Sequence, residues 1–172
     1  IGVNLLFFFN ALNERKNIRI HIDGTYHTSL FSFVKNYFKK NRLIKFKKID
    51  LTKKKIGYKK KYDLIFHCAG YGQPSKFIKY SKSTYKLNSI TIMDLEKTLK
   101  NNGKFIYMST TEIYSGNNYL CDENDIGNTT PNHPRSSYID SKRFGESYLI
   151  NCKHDFMIYR VCLTFGPGAK LN

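Results

Sequence analysis

The 172-residue chain alternates between segments with helical periodicity and segments with the composition of buried strands. The predicted helices span residues 2–16, 29–41, about 84–100 and about 138–151. The predicted strands span residues 18–22, 44–49, 62–70, 104–108 and 156–162. Such alternation is typical of a parallel sheet whose two faces are covered by helices. We therefore predict an α/β fold with a doubly wound parallel sheet.

The chain is strongly basic, with 29 lysines and arginines against 13 aspartates and glutamates and a formal net charge of +16. A charge of this size can indicate a polyanionic partner such as RNA. The basic residues, however, are mostly lysines, and these are spread from Lys16 to Lys170, as on a solvated surface. We expect neither nucleic acid nor a membrane as partner. A noncatalytic, basic domain that binds RNA or another polyanion is the alternative from a different functional class.

The cysteines and the apolar segments indicate the cellular compartment of the protein. The four cysteines, Cys68, Cys121, Cys152 and Cys162, include no close pair, which favours free thiols and no metal site. The apolar run at residues 5–9 is far shorter than the roughly 20 residues of a membrane helix. It also lacks the basic flank and cleavage site of a signal peptide. These features predict a cytoplasmic protein.

Tyr138 and Lys142 stand four residues apart near the start of a predicted helix, which places both side chains on one face. A phenol titrates near pH ~10, so a tyrosine base needs its anion stabilised by about 4 kcal/mol near neutrality, each pKa unit being worth ~1.4 kcal/mol. An ammonium one helical turn away supplies part of this stabilisation. The pair is thus a candidate catalytic base with its support. The alternative is a packing aromatic beside a surface charge.

A polar segment, Ser109-Thr110-Thr111-Glu112, directly follows the predicted strand 104–108. Open α/β sheets bind ligands at the carboxyl ends of their strands. A hydroxyl at this position can hydrogen-bond the substrate oxygen whose proton Tyr138 removes, and Glu112 adds a carboxylate. A simple turn rich in serine and threonine is the alternative interpretation.

Together these motifs resemble those of the NAD-dependent epimerase/dehydratase family, of the extended short-chain dehydrogenase/reductase type. The resemblance covers essentially the whole chain and rests on residues 109–114, 134–143, Glu146, Arg160 and 166–168. Gly127-Asn128, Pro131 and the Pro-Arg-Ser-x-Tyr stretch with Lys142-Arg143 are most similar to UDP-glucuronate decarboxylases. Sugar-nucleotide 4-epimerases and 4,6-dehydratases share most of the rest. The resemblance implies a Rossmann-type domain, NAD as cofactor, a nucleotide-sugar substrate and a homodimer.

The resemblance also implies roles for individual residues. The implied cofactor contacts are Gly2, Asp23, Asp50, Ala69, Gly70, Asn88, Ser109, Tyr138 and Lys142. The implied catalytic residues are Thr110, Thr111, Glu112, Tyr138 and Lys142, and the implied substrate contacts are Glu112, Arg135 and Arg160. Asp23, expected at the end of a strand, would hold the adenosine ribose and favour NAD over NADP, unless it only forms a turn. By the same comparison Asn88 has either a structural or a catalytic role, and both stay open.

The family pattern begins with a strand and Gly-x-x-Gly-x-x-Gly, of which Gly2 matches only the third glycine. The chain ends at Asn172, about where the smaller substrate-binding domain would begin. We therefore expect residues 1–172 to be a partial NAD-binding domain, truncated at both ends, that lacks the first strand and the C-terminal substrate domain. We expect this piece alone to bind NAD poorly and to turn over no substrate.

The implied reaction passes through a 4-keto sugar: hydride leaves C4 for the bound cofactor while Tyr138 takes the hydroxyl proton, assisted by Thr110 and Lys142. Standard 4,6-dehydratases carry Asp-Glu after the catalytic threonine, whereas this chain has Thr111-Glu112. A hydroxyl cannot replace that acid, which favours decarboxylase-like or epimerase chemistry. We predict a UDP-glucuronate decarboxylase-like enzyme, with a 4-epimerase or 4,6-dehydratase as alternatives. A decayed gene product without activity is a further possibility.

Overall fold

The computed structural model of the chain describes residues 1–16, 18–53 and 60–164. Its helices are α1 (Gly2–Lys16), α2 (Ser32–Tyr37), α3 (Pro74–Lys79), α4 (Ser81–Asn88), α5 (Ile90–Glu96) and α6 (Ser136–Ile150). Its strands are β1 (Ile22–Tyr26), β2 (Ile44–Lys48), β3 (Tyr62–His67), β4 (Leu99–Thr110) and β5 (Asp155–Val161). All the strand pairs that these residues form are parallel, which confirms the expected Rossmann-like α/β class.

The chain divides into two compact units, Ile1–Lys55 and Ile56–Asn172. In the first unit β1 pairs with β2. Its core contains the buried side chains Leu6, Val34, Phe38 and Ile44, contributed by both helices and β2. The buried Asn10 amide of α1 accepts a hydrogen bond from Asn41 at 2.7 Å and donates one to Glu14 at 2.8 Å, so it is paired at both ends, as a buried amide must be.

The second unit contains a sheet of order β3-β4-β5. Its core consists of buried apolar side chains from the sheet, α5 and α6: Ile65, Ile92, Leu99, Phe105, Tyr107 and Leu149. Gly145 lets α6 pack closely here, because a Cβ at this position would stand 2.7 Å from both the Ile92 side chain and the Tyr107 hydroxyl. This close packing holds α6 against Ile92 of α5 and Tyr107 of β4.

The first strand lies four residues later than the sequence pattern predicts. The Asn13 side chain both accepts from the Ile20 amide at 2.7 Å and donates to the Ile20 carbonyl at 3.0 Å. Those backbone groups are therefore bonded to a side chain rather than to a neighbouring strand. The strand begins at Ile22, so the prediction that Asp23 ends it is wrong: Asp23 lies inside β1 with an exposed side chain.

The predicted helix over residues 84–100 is also wrong in its bounds. Three short helices lie between Pro74 and Glu96, and β4 begins at Leu99. Pro74 starts the first of them, because proline fits the first helical turn. Gly103, between the predicted helix 84–100 and the predicted strand 104–108, lies within β4, where a Cβ would come 2.9 Å from the Tyr62 carbonyl oxygen. The predicted helix 29–41 shrinks to Ser32–Tyr37.

Candidate active site

Thr110 is the last residue of β4, and its hydroxyl lies where the sequence predicted a catalytic group. The side chain is buried and accepts a hydrogen bond from the Glu112 amide at 3.2 Å, which caps the 3₁₀ helix Thr111–Tyr114. Thr111, the next residue, is exposed. The local cap therefore fixes the Thr110 hydroxyl at the carboxyl end of a parallel strand, where ligands of open α/β sheets bind.

Tyr138 lies in the first turn of α6 and is half-buried. The Thr110 side chain lies close enough to its phenol to act on the pKa, so the structure brings together the two residues on which the sequence interpretation depended. Burial raises the pKa of Tyr138 above its ordinary value, whereas Thr110 acts in the opposite direction. In the protein without ligand the phenol is therefore protonated at neutral pH.

Lys142 is buried, with 5% of its surface exposed, so the surface-charge alternative is wrong. Its ammonium donates a hydrogen bond to the Met108 carbonyl oxygen at 2.6 Å and lies 5.8 Å from the centre of the Tyr138 ring. Burial lowers the pKa of Lys142 to about 8. The ammonium is thus predominantly charged at neutral pH and is held one turn from the phenol, as the spacing predicts.

Glu112 and Arg135 form an ion pair at 2.7 Å beside this group. Both charges act on the pKa of Tyr138, Glu112 raising it and Arg135 lowering it. Within the described part of the chain, Oε2 of Glu112 and Nε of Arg135 are buried without a hydrogen-bond partner. Burial raises the pKa of Glu112, and Arg135 opposes that rise. Two of the predicted substrate contacts therefore lie together next to Tyr138.

The third predicted substrate contact, Arg160, is engaged by protein groups. Its guanidinium binds Glu146 at 2.8 Å, the Tyr114 hydroxyl at 2.9 Å and the Glu123 carbonyl at 2.7 Å. The Ser109 hydroxyl donates to the same Glu146 carboxylate at 2.5 Å. These contacts tie β4, β5 and α6 together beneath the site. A substrate contact of Arg160 and a cofactor contact of Ser109 stay predictions.

Gly127, part of the decarboxylase-like motif, has a packing reason to be glycine. A Cβ at this position would come 2.1 Å from the Ser115 carbonyl oxygen. The Arg143 guanidinium also donates to the carbonyl oxygens of Gly127 and Ile113, which holds the loop against α6. This part of the motif is therefore explained by the fold. The motif at residues 166–168 lies outside the described residues.

Ala69 and Gly70 follow β3, as the sequence predicts for a turn that a cofactor approaches closely. A Cβ added at Gly70 would meet no protein atom within 4 Å, and its φ is not in the left-handed region. Neither packing nor backbone conformation requires glycine there, so the position leaves room for a ligand. Asn88 is buried and donates to the Ser141 hydroxyl at 3.0 Å, which links α4 to α6. This bond is a packing contact between the two helices, and a cofactor contact of Asn88 stays a prediction.

The remaining predicted cofactor contacts lie in the first unit. Gly2 is the exposed first residue of α1, and Asp23 is exposed within β1. Asp50 follows β2 and accepts hydrogen bonds from the amide and hydroxyl of Thr52, at 2.9 and 2.7 Å. These bonds, together with His27 and Lys53 nearby, lower the pKa of Asp50. The cofactor roles of all three residues stay predictions.

Phe77 was missed by the sequence interpretation. Its ring in α3 stacks on the Tyr138 ring with centroids 4.3 Å apart and planes 8° apart. The Arg135 guanidinium lies over the same Phe77 ring, 5.3 Å from its centre. The signal that could have found it is Pro74, because a proline at a first helical turn predicts a helix that includes residue 77.

Among residues 1–16, 18–53 and 60–164, no group of three His, Cys, Asp or Glu side chains is arranged to hold a metal ion. In that part of the chain no helix combines the length and the apolar character needed to cross a bilayer. The four cysteines are free thiols.

Solved structures with the same fold include several nucleotide-sugar enzymes. UDP-glucuronic acid 4-epimerase from Bacillus cereus, in complex with UDP-glucuronic acid and NAD, is 20% identical with a TM-score of 0.62, over 87% of this chain and 50% of that one. RMD from Pseudomonas aeruginosa, complexed with NADPH, is 20% identical with a TM-score of 0.56, over 87% and 57%. UDP-Glc/GlcNAc 4-epimerase from Campylobacter jejuni is 19% identical with a TM-score of 0.56, over 78% and 45%.

At these identities the likeness shows the fold alone, and the chain spans about half the length of these solved chains. No curated protein matches the chain. Nothing among these matches specifically supports a UDP-glucuronate decarboxylase. A family model described as the NAD dependent epimerase/dehydratase family matches residues 19–172, which is most of the chain. The chain therefore belongs to the NAD-dependent epimerase/dehydratase family.

Proposed function

We propose that residues 1–172 form part of the NAD-binding domain of an enzyme that modifies a nucleotide sugar through a 4-keto intermediate. The observation that carries this proposal is the contact between the Tyr138 phenol and Thr110, with the buried Lys142 ammonium one helical turn away. A noncatalytic polyanion-binding domain would have no need to bury a lysine beside a tyrosine, since polyanions are bound by exposed charge. The family supports the enzymatic reading.

The residues divide the chemistry of proton transfer among them. When bound, NAD supplies the hydride acceptor and a positive charge near the reacting sugar carbon. Tyr138 takes the proton of the C4 hydroxyl, while the Thr110 side chain beside the phenol lowers its pKa. Lys142, whose ammonium lies 5.8 Å from the centre of the Tyr138 ring, would stabilise the phenolate.

In our proposal the open space around Gly70 accommodates the dinucleotide cofactor. Gly72 resembles Gly70 in having no protein atom within 4 Å of an added Cβ, so backbone along this turn is open to close approach. The backbone at Ala69 and Gly70 would lie close to the cofactor's phosphates and ribose. Asp23 would hold the adenosine ribose and Asp50 the adenine edge.

Glu112 and Arg135 would bind the sugar. Their unpartnered Oε2 and Nε atoms lie buried next to Tyr138, and an unsatisfied buried polar atom costs about 1–3 kcal/mol unless a ligand pairs with it. Solved relatives of the fold bind UDP-glucuronic acid or UDP-glucose, so a nucleotide sugar is the substrate class we propose. Homodimerisation through α6 and a cytoplasmic location belong to the same proposal.

Two reactions are favoured. Decarboxylase-like chemistry agrees with Thr111, because an exposed hydroxyl supplies no carboxylic acid to protonate a departing hydroxyl. A 4-epimerase is the second candidate, because solved chains of this fold include 4-epimerases for UDP-glucuronic acid and for UDP-Glc/GlcNAc. Both require the same 4-keto sugar and therefore the same Thr110, Tyr138 and Lys142.

Product analysis tests the proposal. The natural-length protein is incubated with NAD⁺ and, separately, UDP-glucuronate, UDP-glucose and dTDP-glucose, and the products are separated and weighed by mass spectrometry. Loss of CO₂ from UDP-glucuronate supports the decarboxylase, and a mass-neutral new isomer supports the epimerase. Loss of water identifies a dehydratase and overturns the argument from Thr111. Salt-sensitive RNA binding without any product would refute the enzymatic proposal.

A further inference from the structure

Phe77 supplies an aromatic surface for the proposed base. Its ring is 1% exposed and lies almost parallel to the Tyr138 ring, with centroids 4.3 Å apart and planes at 8°. Stacked aromatic pairs at this separation add about 0.5–1.5 kcal/mol beyond the apolar area they bury. Phe77 therefore restricts the motion of the Tyr138 ring out of its plane.

Phe77 is itself held in place. The Thr84 hydroxyl of α4 lies 3.3 Å from the Phe77 carbonyl oxygen and 3.1 Å from the Tyr80 carbonyl oxygen, where α3 ends. Thr84 is fully buried. The short helix α3 is thus bonded to α4, which in turn packs on α6. The platform under Tyr138 belongs to the packed body of the second unit.

A second contact joins Phe77 to the proposed sugar-binding pair. Arg135 lies over the Phe77 ring and is bound to Glu112 at 2.7 Å. The same ring therefore contacts the proposed base and the arginine that lies three residues before it in the chain. A displacement of Phe77 would change both.

We infer that Phe77 is a positioning residue that holds the Tyr138 ring so that its hydroxyl stays on Thr110. The inference rests on the proposed function of Tyr138. The stack on Phe77 sets the plane of the Tyr138 ring, and the Thr110 side chain lies close enough to the phenol to act on its pKa. Proton transfer is sensitive to such placement, since a displacement of about 1 Å can cost about 10²-fold in rate.

The stack also affects the acidity of the phenol. Burial is the largest cause of the raised pKa of Tyr138, and Phe77 covers one face of the ring. Removing the Phe77 ring admits water, so the pKa of Tyr138 falls while its orientation loosens. If Phe77 only supported the fold, its replacement in a variant that still folds would change neither the pKa of Tyr138 nor the orientation of its ring.

Ligand-free NMR tests the inference without depending on turnover. The chain is labelled in its tyrosine rings, and the Tyr138 signals are assigned as those that Tyr138→Phe removes. Phe77→Leu is compared with Phe144→Leu, which makes the same change at a 45% exposed position of α6. Phe77→Leu should remove the ring-current shift of the Tyr138 ring protons and lower the pKa of Tyr138. Phe77→Tyr, which keeps an aromatic ring, and Phe144→Leu should leave both unchanged.

Turnover by the natural-length enzyme completes the test. Phe77→Leu should lower kcat by about 10–100-fold with KM changed by less than about 2-fold, because ring orientation matters in the transition state. If Phe77→Leu does not fold, Phe77→Met, closer in volume, is measured in the same way. A folded variant with unchanged Tyr138 signals and kcat overturns the inference. If instead Tyr138→Phe retains full activity, the proposed function itself fails.

Discussion

The two compact units of the chain hold their candidate residues in different ways. In the second unit Thr110 and Lys142 are buried, and neighbouring strands and helices fix their polar atoms. In the first unit Asp23 is exposed on β1, and Asp50 is bound mainly within its own turn by Thr52. The proposed proton-transfer group is thus preorganised by packing, whereas the proposed adenosine contacts are an exposed strand residue and a carboxylate held by its own turn.

This difference predicts where substitutions act. A change in the second unit should affect both the folded state and the chemistry, because buried polar groups are costly to leave unpaired. A change at an exposed acid of the first unit should hardly affect folding. The predictions below test the contrast, beginning with the largest effect.

Removing the Tyr138 hydroxyl should have the largest effect on activity. Tyr138→Phe keeps the stack on Phe77 but deletes the proton acceptor, so we expect kcat to fall by about 10²–10⁴-fold, the usual contribution of a general base. Tyr159→Phe, an exposed tyrosine of β5, is the matched control and should match the unchanged enzyme. Turnover of the natural-length protein is the measurement. Equal losses in both variants would mean that Tyr138 has no special role.

Breaking the buried pair between Glu146 and Arg160 should have the largest effect on stability. Their side chains are 5% and 17% exposed, and Glu146→Leu leaves the guanidinium largely buried without its carboxylate. We expect a loss of about 3 kcal/mol in the free energy of unfolding, nearly independent of salt. Glu123→Leu, an exposed glutamate, is the control. Urea unfolding of both variants at low and high salt gives the loss in the free energy of unfolding. If salt abolishes the loss in Glu146→Leu, the pair is not buried.

The pKa of Lys142 should make stability depend on alkaline pH. Its folded pKa of about 8 lies below the ordinary unfolded value near ~10.4, so between these pH values the unfolded chain binds more protons. Stability relative to Lys142→Met should therefore rise with pH in this window, by up to about 3 kcal/mol. Lys82→Met, at an exposed position, should show no such rise. Urea unfolding at several pH values measures this difference in the free energy of unfolding. If the difference does not change with pH, the Lys142 ammonium is well solvated.

The second unit was also the part that the sequence predicted best. The i, i+4 spacing of Tyr138 and Lys142 and the polar residues after β4 are local patterns, and the structure brings them together. The sequence could not show that Lys142 is buried, because its burial depends on packing against Met108 and Tyr107 from a distant strand.

The errors arise where distant contacts override a local pattern. The alternation at residues 18–22 predicts a strand, but the Asn13 amide binds the Ile20 backbone and delays β1. The periodicity at residues 84–100 predicts a helix, but β4 begins at Leu99 and Gly103 allows its close approach to the Tyr62 backbone. Phe77 was missed because its partner Tyr138 lies in another helix, and no spacing along the chain records that contact.

The smallest effect should come from Asp50 in the first unit. Asp50→Asn can keep the hydrogen bonds from Thr52 but loses the charge that attracts His27 and Lys53, whose side chains are largely exposed. Exposed pairs contribute about 0.2–1 kcal/mol, so we expect a loss of about 0.5 kcal/mol at pH 7. At 1 M salt the Debye length is about 3 Å and the loss should vanish, unlike that of Glu146→Leu.

The lowered pKa of Asp50 also means that its carboxylate stabilises the folded chain. This stabilisation is present above the unfolded pKa of Asp50 and disappears as the pH falls through its folded pKa. A loss as large and as salt-independent as that of Glu146→Leu would remove the contrast between the two units.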